Sequence, residues 1–367
     1  MGGKTTSTTE AKIADIKLQT SAYGGVLPIV FGTTRIAGNV LWYGNFTPIA
    51  TTATTSSGGK GLGKVTSKST TYTYTAAVML GLAEGAIAGV GAVWKGKDKT
   101  TLTALGLTLF AGARGQAAWS FRAGYNGIAA NIAREDAYGF AGQTVSFAAS
   151  TVLGYSSTAY LAASAYDLGG DASVPNHGFE VQGLAIFGGG IVDANPKDIV
   201  TPFLTGAQFG AGLNSALLGP LTNFGNYCTA AGLFFSPAYV EQRAAADHLK
   251  ELTDAANTAL VWSEGVLKFA PYGDTTITGN GVTYTPNVTP TYDLTDDNFL
   301  AEGDDPVHVA RAAPADAFNR IQVEYLDRAN QYNTAIVSVE DQAAIELYGL
   351  RPAPVAQAHM ICDAAVA

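Results

Sequence analysis

The chain has 367 residues, with 21 basic and 30 acidic side chains and a net charge of −9; at roughly 150 residues per domain this argues for two or three domains, each able to bury its own core. Only 14% of residues are charged, while 43 are Gly, 17 Tyr and 16 Phe; this apolar, aromatic content excludes a disordered chain, and the acidic balance argues against a grip on nucleic acid, which needs basic side chains to displace counterions. Few charges, much glycine and many aromatics suit a subunit whose surface is hidden in an assembly.

Residues 1–19 read as a mobile N-terminal arm, and Met1-Gly2-Gly3-Lys4 lacks the apolar run of a secretory signal. A β-rich first domain is expected over residues 20–190. It opens with a strand block from about Tyr23 to Phe46, in which Val26–Phe31 leads to a turn at Gly32-Thr33-Thr34 and a second strand from Arg35 to Trp42. Residues 47–70 are Thr, Ser, Gly and Lys with little that is apolar, which predicts an exposed loop at a hairpin tip. The most apolar stretch, Ala76–Trp94, is long enough to span a bilayer, and Gly81, Gly85 and Gly89 repeat a membrane-helix spacing. Against a membrane helix stand Glu84 at its centre, its four glycines and the strict alternation Thr71-Tyr72-Thr73-Tyr74-Thr75 that enters it. A buried hairpin is expected instead: a strand to about Leu82, a turn at Glu84-Gly85 and a return strand to Trp94. Residues 100–150 form an Ala/Gly-rich insertion of weak periodicity. Phe179–Phe187 reads as a strand ended by Gly188-Gly189-Gly190, the expected domain border.

An α+β second domain is expected over residues 191–367. Asp193 or Asn195 caps a short helix with Pro196 in its first turn, running to about Thr205. Ser236-Pro237 reads as the start of a longer helix ending near Asn257, with a stripe of Val240, Ala244, Ala245, Leu249, Leu252 and Ala256. A hairpin follows, Thr258–Trp262 and Val266–Tyr272 around Ser263-Glu264-Gly265. Further strands are expected at Val307–Arg311, Arg320–Asp327 and Thr334–Val339, the last two joined by a polar turn at Arg328–Asn333, with a final helix after Glu340. His359–Cys362 reads as a strand just before Ala367, which leaves open a continuation of the chain.

Motifs for chemistry are scarce. Cys228 and Cys362 lie too far apart in sequence for a CxxC and are too few for a disulfide framework. Gly58-Gly59-Lys60-Gly61-Leu62-Gly63-Lys64 approaches a phosphate-binding loop, but Val65 stands where Ser or Thr would hold Mg²⁺. Asp293, Thr295 and Asp297 resemble the opening of a calcium loop, yet Asn298 replaces the required glycine and Asp304 the closing Glu. His177, His248, His308 and His359 have no metal-ligand neighbour at helical spacing, and no nucleophile elbow or zinc-protease helix is present. No catalytic residue, metal ligand or cofactor site is assigned.

Several phrases taken together carry a resemblance. They are Pro28-Ile29-Val30-Phe31-Gly32 with Arg35-Ile36-Ala37-Gly38-Asn39 and Trp42; Leu82-Ala83-Glu84-Gly85 with Val93-Trp94; Pro175-Asn176-His177 with Phe179-Glu180-Val181; Trp262-Ser263-Glu264-Gly265; Pro271-Tyr272-Gly273-Asp274; and Val323-Glu324-Tyr325 with Asp327-Arg328. From about residue 20 onward the chain resembles the tail-tip, or baseplate hub, proteins of long flexible-tailed bacteriophages. The resemblance implies a mainly β fold with α+β elements: β-barrel-like hub domains with a few short helices, assembled as a homotrimeric ring at the virion tail tip after synthesis in the host cytoplasm. It implies a structural protein, not an enzyme, that closes the distal tail tube and supports host attachment and DNA ejection. The partners it implies are a hexameric distal tail protein, the tape-measure protein's C-terminus and other tail-tip or fibre subunits. DNA would only pass through, without specific binding, and no stable membrane insertion is expected.

The residues of these phrases also have local readings. Gly32, Gly38, Gly85 and Gly265 are expected to serve turns or close backbone approach, and Trp42, Trp94 and Trp262 to anchor cores. Arg35, Glu84, Glu324, Asp327 and Arg328 are scarce charges beside strands and are expected to pair across a subunit seam. Asn176 and Phe179 complete the motif set. The alternative function is a tail-associated peptidoglycan or polysaccharide hydrolase, which predicts a cleft with converging carboxylates; a porin-like β-protein would need an export signal and aromatic girdles.

Overall fold

The computed structural model describes residues 5–13, 26–57, 65–123, 154–290, 292–300, 310, 313 and 317–367. The phosphate-loop-like segment 58–64, most of the 100–150 insertion, Asp304, and the strand expected at Val307–Arg311, except Ala310, lie outside the described residues. The chain divides into two compact units, Met1–Leu184 with Ala238–Gln242, and Ala185–Pro237 with Arg243–Ala367. The architecture is mainly β with α+β elements, and its six sheets are open: none closes into a barrel among the described residues.

In the first unit the strands are β1 (Thr5–Thr9), β2 (Ile29–Val30), β3 (Thr33–Ala37), β4 (Asn39–Ser57), β5 (Val65–Glu84), β6 (Gly89–Lys95), β7 (Asp98–Thr100), β8 (Thr108–Ala111), β9 (Thr158–Gly169) and β10 (His177–Gln182). One sheet contains β2, β5, β9 and β8 in that order, with β4 and β1 also paired to β5; a second has the order β3-β10-β6-β7. A short helix, α1 (Ser120–Ala123), follows β8. The apolar run that mimics a membrane span is the root of β5, which is covered on both faces. Tyr74, Ala76, Val78, Leu80 and Leu82 enter the main core with Val93, Phe179 and Val181. Ala77 and Met79 enter a second cluster with Trp119 and Tyr160. A strand buried on both faces loses its polar alternation, which accounts for the hydropathy of Ala76–Ala83. No helix among the described residues is long and apolar enough to cross a membrane.

The turn at Glu84-Gly85 is present, with Gly85 at φ 82°, but β5 and β6 do not form the expected hairpin. β6 pairs with β10 and β7 in the second sheet. The corner's own donors are engaged elsewhere: Glu84 N–H by the Pro28 carbonyl, Gly85 N–H by Ser157 and Ala88 N–H by Gln182, at 2.7–2.9 Å. The chain therefore changes sheets here. Thr33 and Thr34 belong to β3, and only Gly32 of that expected turn has a positive φ, 62°. The expected loop at 47–70 is strand on both sides: Thr47–Ser57 of β4 pairs with Val65–Thr75 of β5. Its threonines are β-branched and favour extended backbone. The N-terminal arm also contains a strand, because β1 pairs in parallel with Thr66–Thr70 of β5.

The second unit begins with the hairpin β11 (Ile186–Gly188) and β12 (Ile191–Ala194), whose turn is Gly188-Gly189-Gly190, all at positive φ; these glycines lie inside the unit. Helix α2 (Pro196–Thr205) starts as expected, with Asn195 as its cap accepting from Lys197 N–H at 2.9 Å. Helix α3 (Thr222–Ala231) ends on Gly232 in the left-handed conformation. The helix expected from Ser236 begins only at Ala245, as α4 (Ala245–Ala255). Ser236 is wholly buried: its N–H donates to the Met360 carbonyl at 2.7 Å and its hydroxyl to Asp193, so it cannot cap a helix. Ala238–Tyr239 forms β13 instead, which pairs with β2 and counts with the first unit. Val240 is 55% exposed and takes no part in a helical stripe.

The hairpin of β14 (Thr258–Ser263) and β15 (Val266–Pro271) turns on Glu264 and Gly265, at φ 53° and 78°, the pair of left-handed residues that a two-residue hairpin loop requires. After β16 (Ile277–Gly279) and β17 (Val282–Tyr284), β18 (Arg320–Asp327) and β19 (Asn333–Glu340) pair along eight positions. Helix α5 (Gln342–Tyr348) is capped by Asp341, and β20 (Ala356–Gln357) adds to β18 in parallel. His359–Cys362 is a turn followed by irregular chain, not a strand; Cys228 and Cys362 are both buried and not joined in a disulfide.

Candidate assembly surface

The feature of the first unit that packing does not explain is the outer half of β4 and β5. From Pro48↔Tyr74 to Ser57↔Val65 the ladder is unbroken, and ten residues at about 3.4 Å each make a ribbon of about 34 Å. Phe46 stacks on Tyr74 at its root, ring centroids 5.3 Å apart. Beyond that root, residues 49–57 of β4 are all exposed, as are Val65, Ser67, Lys68, Ser69, Thr71 and Thr73 of β5. Both faces of the ribbon are thus wet, and Thr52 and Thr70 hydroxyls meet across it at 3.0 Å. A two-stranded ribbon in water is marginal without further strands or a covering layer. β1 supplies one added strand; no strand pairs with the outer edge of Pro48–Ser57 among the described residues.

The motif residues fall in three places and do not converge. On the second sheet, the Arg35 guanidinium lies 4.3 Å from the centroid of Trp94, which is 3% exposed. It also crosses Gly178, where a Cβ would meet Arg35 Nε at 2.2 Å. A Cβ on Gly38 would stand 2.8 Å from the buried ring of Phe179, which explains the glycine by close approach. Phe179 stacks on His177 at 5.5 Å, and the Asn176 carbonyl accepts from Gly96 N–H at 2.8 Å. At the corner, burial raises the Glu84 carboxyl above its ordinary value, partly offset by the Thr158 hydroxyl at 3.5 Å. Gly32 exchanges backbone bonds with Leu184 and Gly183 at 2.9 and 2.7 Å. Trp42 meets Trp119 edge-on at 6.3 Å.

In the second unit Arg328 donates to Asp193 through Nη1 at 3.1 Å and through Nη2 to the other oxygen, and through Nε to the Tyr332 hydroxyl at 3.2 Å. Burial disfavours the Arg328 charge, yet Asp193 and Tyr332 more than offset it and raise its pKa. Glu324 bonds His359 at 2.7 Å. Asp327 accepts from Ala329 N–H at 2.9 Å, shaping the turn. Each charge expected to bridge a subunit seam thus has a contact inside its own chain, and for Arg328 the partner is a buried opposite charge, which offsets the cost of burial. Trp262 is 57% exposed and is no core anchor, because it lies near the free end of the β14–β15 hairpin.

Two buried pairs were not marked by sequence reasoning. One is Asp193 with Ser236, bound to Arg328 across 135 positions of sequence. The other is Tyr166 hydroxyl with His177 Nε2 at 2.7 Å. Burial first, and the Lys95 charge second, push the His177 pKa down to about 4, so the ring is neutral at neutral pH. No local pattern announces either pair. A cavity of about 510 Å³ lies beside α4, lined by residues that include Lys250, Asp254, Asn257 and Tyr272; its Lys250–Asp254 ion pair, at 2.6 Å, is exposed. No His and no second carboxylate lines it. Among the described residues no group of three or more His, Cys, Asp or Glu could hold a metal ion. In the calcium-loop-like segment, Asn298 Oδ1 instead accepts from Thr295 N–H at 2.8 Å.

Comparison with known proteins adds a family match over the last third of the chain and a fold. Residues 244–367 match the family model described as "Putative phage tail protein". A solved chain from the "Virion of native gene transfer agent (GTA) particle" superposes with a TM-score of 0.54 at 18% identity, over 97% of this chain and 73% of that one. At that identity the likeness establishes the fold. No curated protein matches the sequence. The tail-protein match thus concerns residues 244–367, and the virion likeness concerns the fold of nearly the whole chain.

Proposed function

We propose that this chain is a hub subunit of the phage tail tip, acting by shape and without turnover. The observation that carries the reading is the β4–β5 ribbon: a long, two-sided polar ladder whose β4 edge beyond Pro48 carries none of the charges, prolines or bulges with which a solitary domain blunts an edge. In a trimeric ring around the tube axis such ribbons acquire neighbours. The gene transfer agent likeness and the tail-protein family of residues 244–367 support a place in a virion. On this reading the ring docks a hexameric distal tail protein and receives the tape-measure protein's C-terminus, with tail-tip or fibre subunits beyond it. DNA passes through without specific contacts, because a chain of net charge −9 offers little to hold phosphates. The test is mass in solution, alone and with the distal tail ring. A trimer is expected; a monomer under both conditions, or measurable cleavage of cell-wall polymers, would overturn the reading.

A further inference from the structure

The edge of β5 that faces away from β4 is covered in two stretches. β9 takes Tyr74–Glu84, and β1 takes Thr66–Thr70. The β1 cover is weakly held. Its ladder is parallel and five residues long, a pairing less stable per residue than an antiparallel one. Ser7, Thr8 and Thr9 are exposed and bury no apolar surface. The register sets Thr and Ser on Thr, Ser and Lys, so within the ladder a slip by one residue exchanges similar side chains. Among the described residues its anchors lie at the C-terminal end: Glu10 N–H donates to the Thr70 carbonyl at 3.0 Å, Ile13 N–H to the Tyr74 hydroxyl at 2.7 Å, and Ile13 packs on the core.

The same ribbon carries a matching edge. Pro48–Ser57 of β4 has no charged side chain, and its register irregularities lie nearer the core, at Val40/Trp42 and Gly44/Thr47. Because β4 runs antiparallel to β5, a copy rotated about an axis along the strands would present its β4 antiparallel to the β5 edge. Each copy then offers one donor edge and one acceptor edge. Such a head-to-tail contact closes into a ring when the rotation allows.

We infer that Thr66–Thr70 of β5 is the docking edge for Pro48–Ser57 of a second copy of this chain, and that β1 covers it in the free chain as a displaceable strand. This rests on the assembly reading above. Displacing β1 exchanges a parallel ladder for an antiparallel one, the more stable pairing per residue, so the free chain is held back from pairing until copies are concentrated.

The test locks the strand. Thr8 and Ser69 are register partners, so Thr8→Cys with Ser69→Cys allows a reversible disulfide, and the native Cys228 and Cys362 are buried and do not compete. Sedimentation across a concentration series reads the half-assembly point. The reduced double variant is expected to assemble, and oxidation to raise that point by about tenfold or more. Deleting residues 2–12 is expected to lower it. Assembly that ignores the disulfide, or that weakens on deletion, overturns the displaceable cover while leaving the trimer standing. A chain that stays monomeric in every form, with the distal tail ring present, overturns both.

Discussion

Replacing Arg328 by Met keeps the length of the side chain and removes its charge. Asp193, with a side chain 8% exposed, is then left with the Ser236 hydroxyl alone against the cost of a buried carboxylate. Breaking a buried pair by removing one partner costs about 3–5 kcal/mol. The Arg328 side chain is 24% exposed, so water screens part of the interaction and the lower end applies, about 3 kcal/mol. For a unit of this size that lowers the melting temperature by about 6–12 °C. Thermal and urea unfolding of the full chain, followed by the second unit's transition, measure it. Adding Asp193→Asn removes the stranded charge, and the double variant is expected to recover more than half of the loss. Had Arg328 served only a subunit seam, the free chain would change by no more than about 0.5 kcal/mol. A loss below about 1 kcal/mol, or a double variant as unstable as the single one, refutes the in-chain strut.

His177 contributes a pH dependence whose sign follows from its neutral state. Its folded pKa of about 4 lies below the ordinary 6.5, so the stability it contributes is complete above pH 6.5 and is lost as pH falls towards 4. That difference is worth about 3 kcal/mol. His177→Gln keeps an acceptor for Tyr166 and is expected to flatten the urea midpoint between pH 6.5 and 4; parallel profiles for variant and parent would contradict it. Gly38→Val drives a side chain into the Phe179 ring and is expected to cost about 1–3 kcal/mol by overpacking, read by the same unfolding assay. The tryptophans separate by exposure: Trp94→Ala is expected to cost about 3–5 kcal/mol and Trp262→Ala at most about 0.5 kcal/mol in the free chain, so equal losses would sink the distinction.

Elements specified by neighbouring residues were legible in the sequence. The β14–β15 hairpin follows from alternation around Glu264-Gly265, α2 from Asn195-Pro196, and the β18–β19 pair from two strands around a polar turn. The tail-tip phrases likewise pointed to a mainly β fold with α+β elements. What a strand pairs with is a different quantity. β5 and β6 are adjacent in sequence yet lie in different sheets, because backbone donors of the corner between them are taken by Pro28, Ser157 and Gln182. The Thr-rich segment looked like a loop because its hydroxyls are polar, although its β-branching and its partner strand make it a ladder. Ser236 carried a good cap signal and lost it to a buried carboxylate 43 positions away. Periodicity, caps and turns act within a few residues and can be read along the chain; ladder partners and buried ion pairs depend on which distant segments burial brings together, and only the tertiary structure decides them.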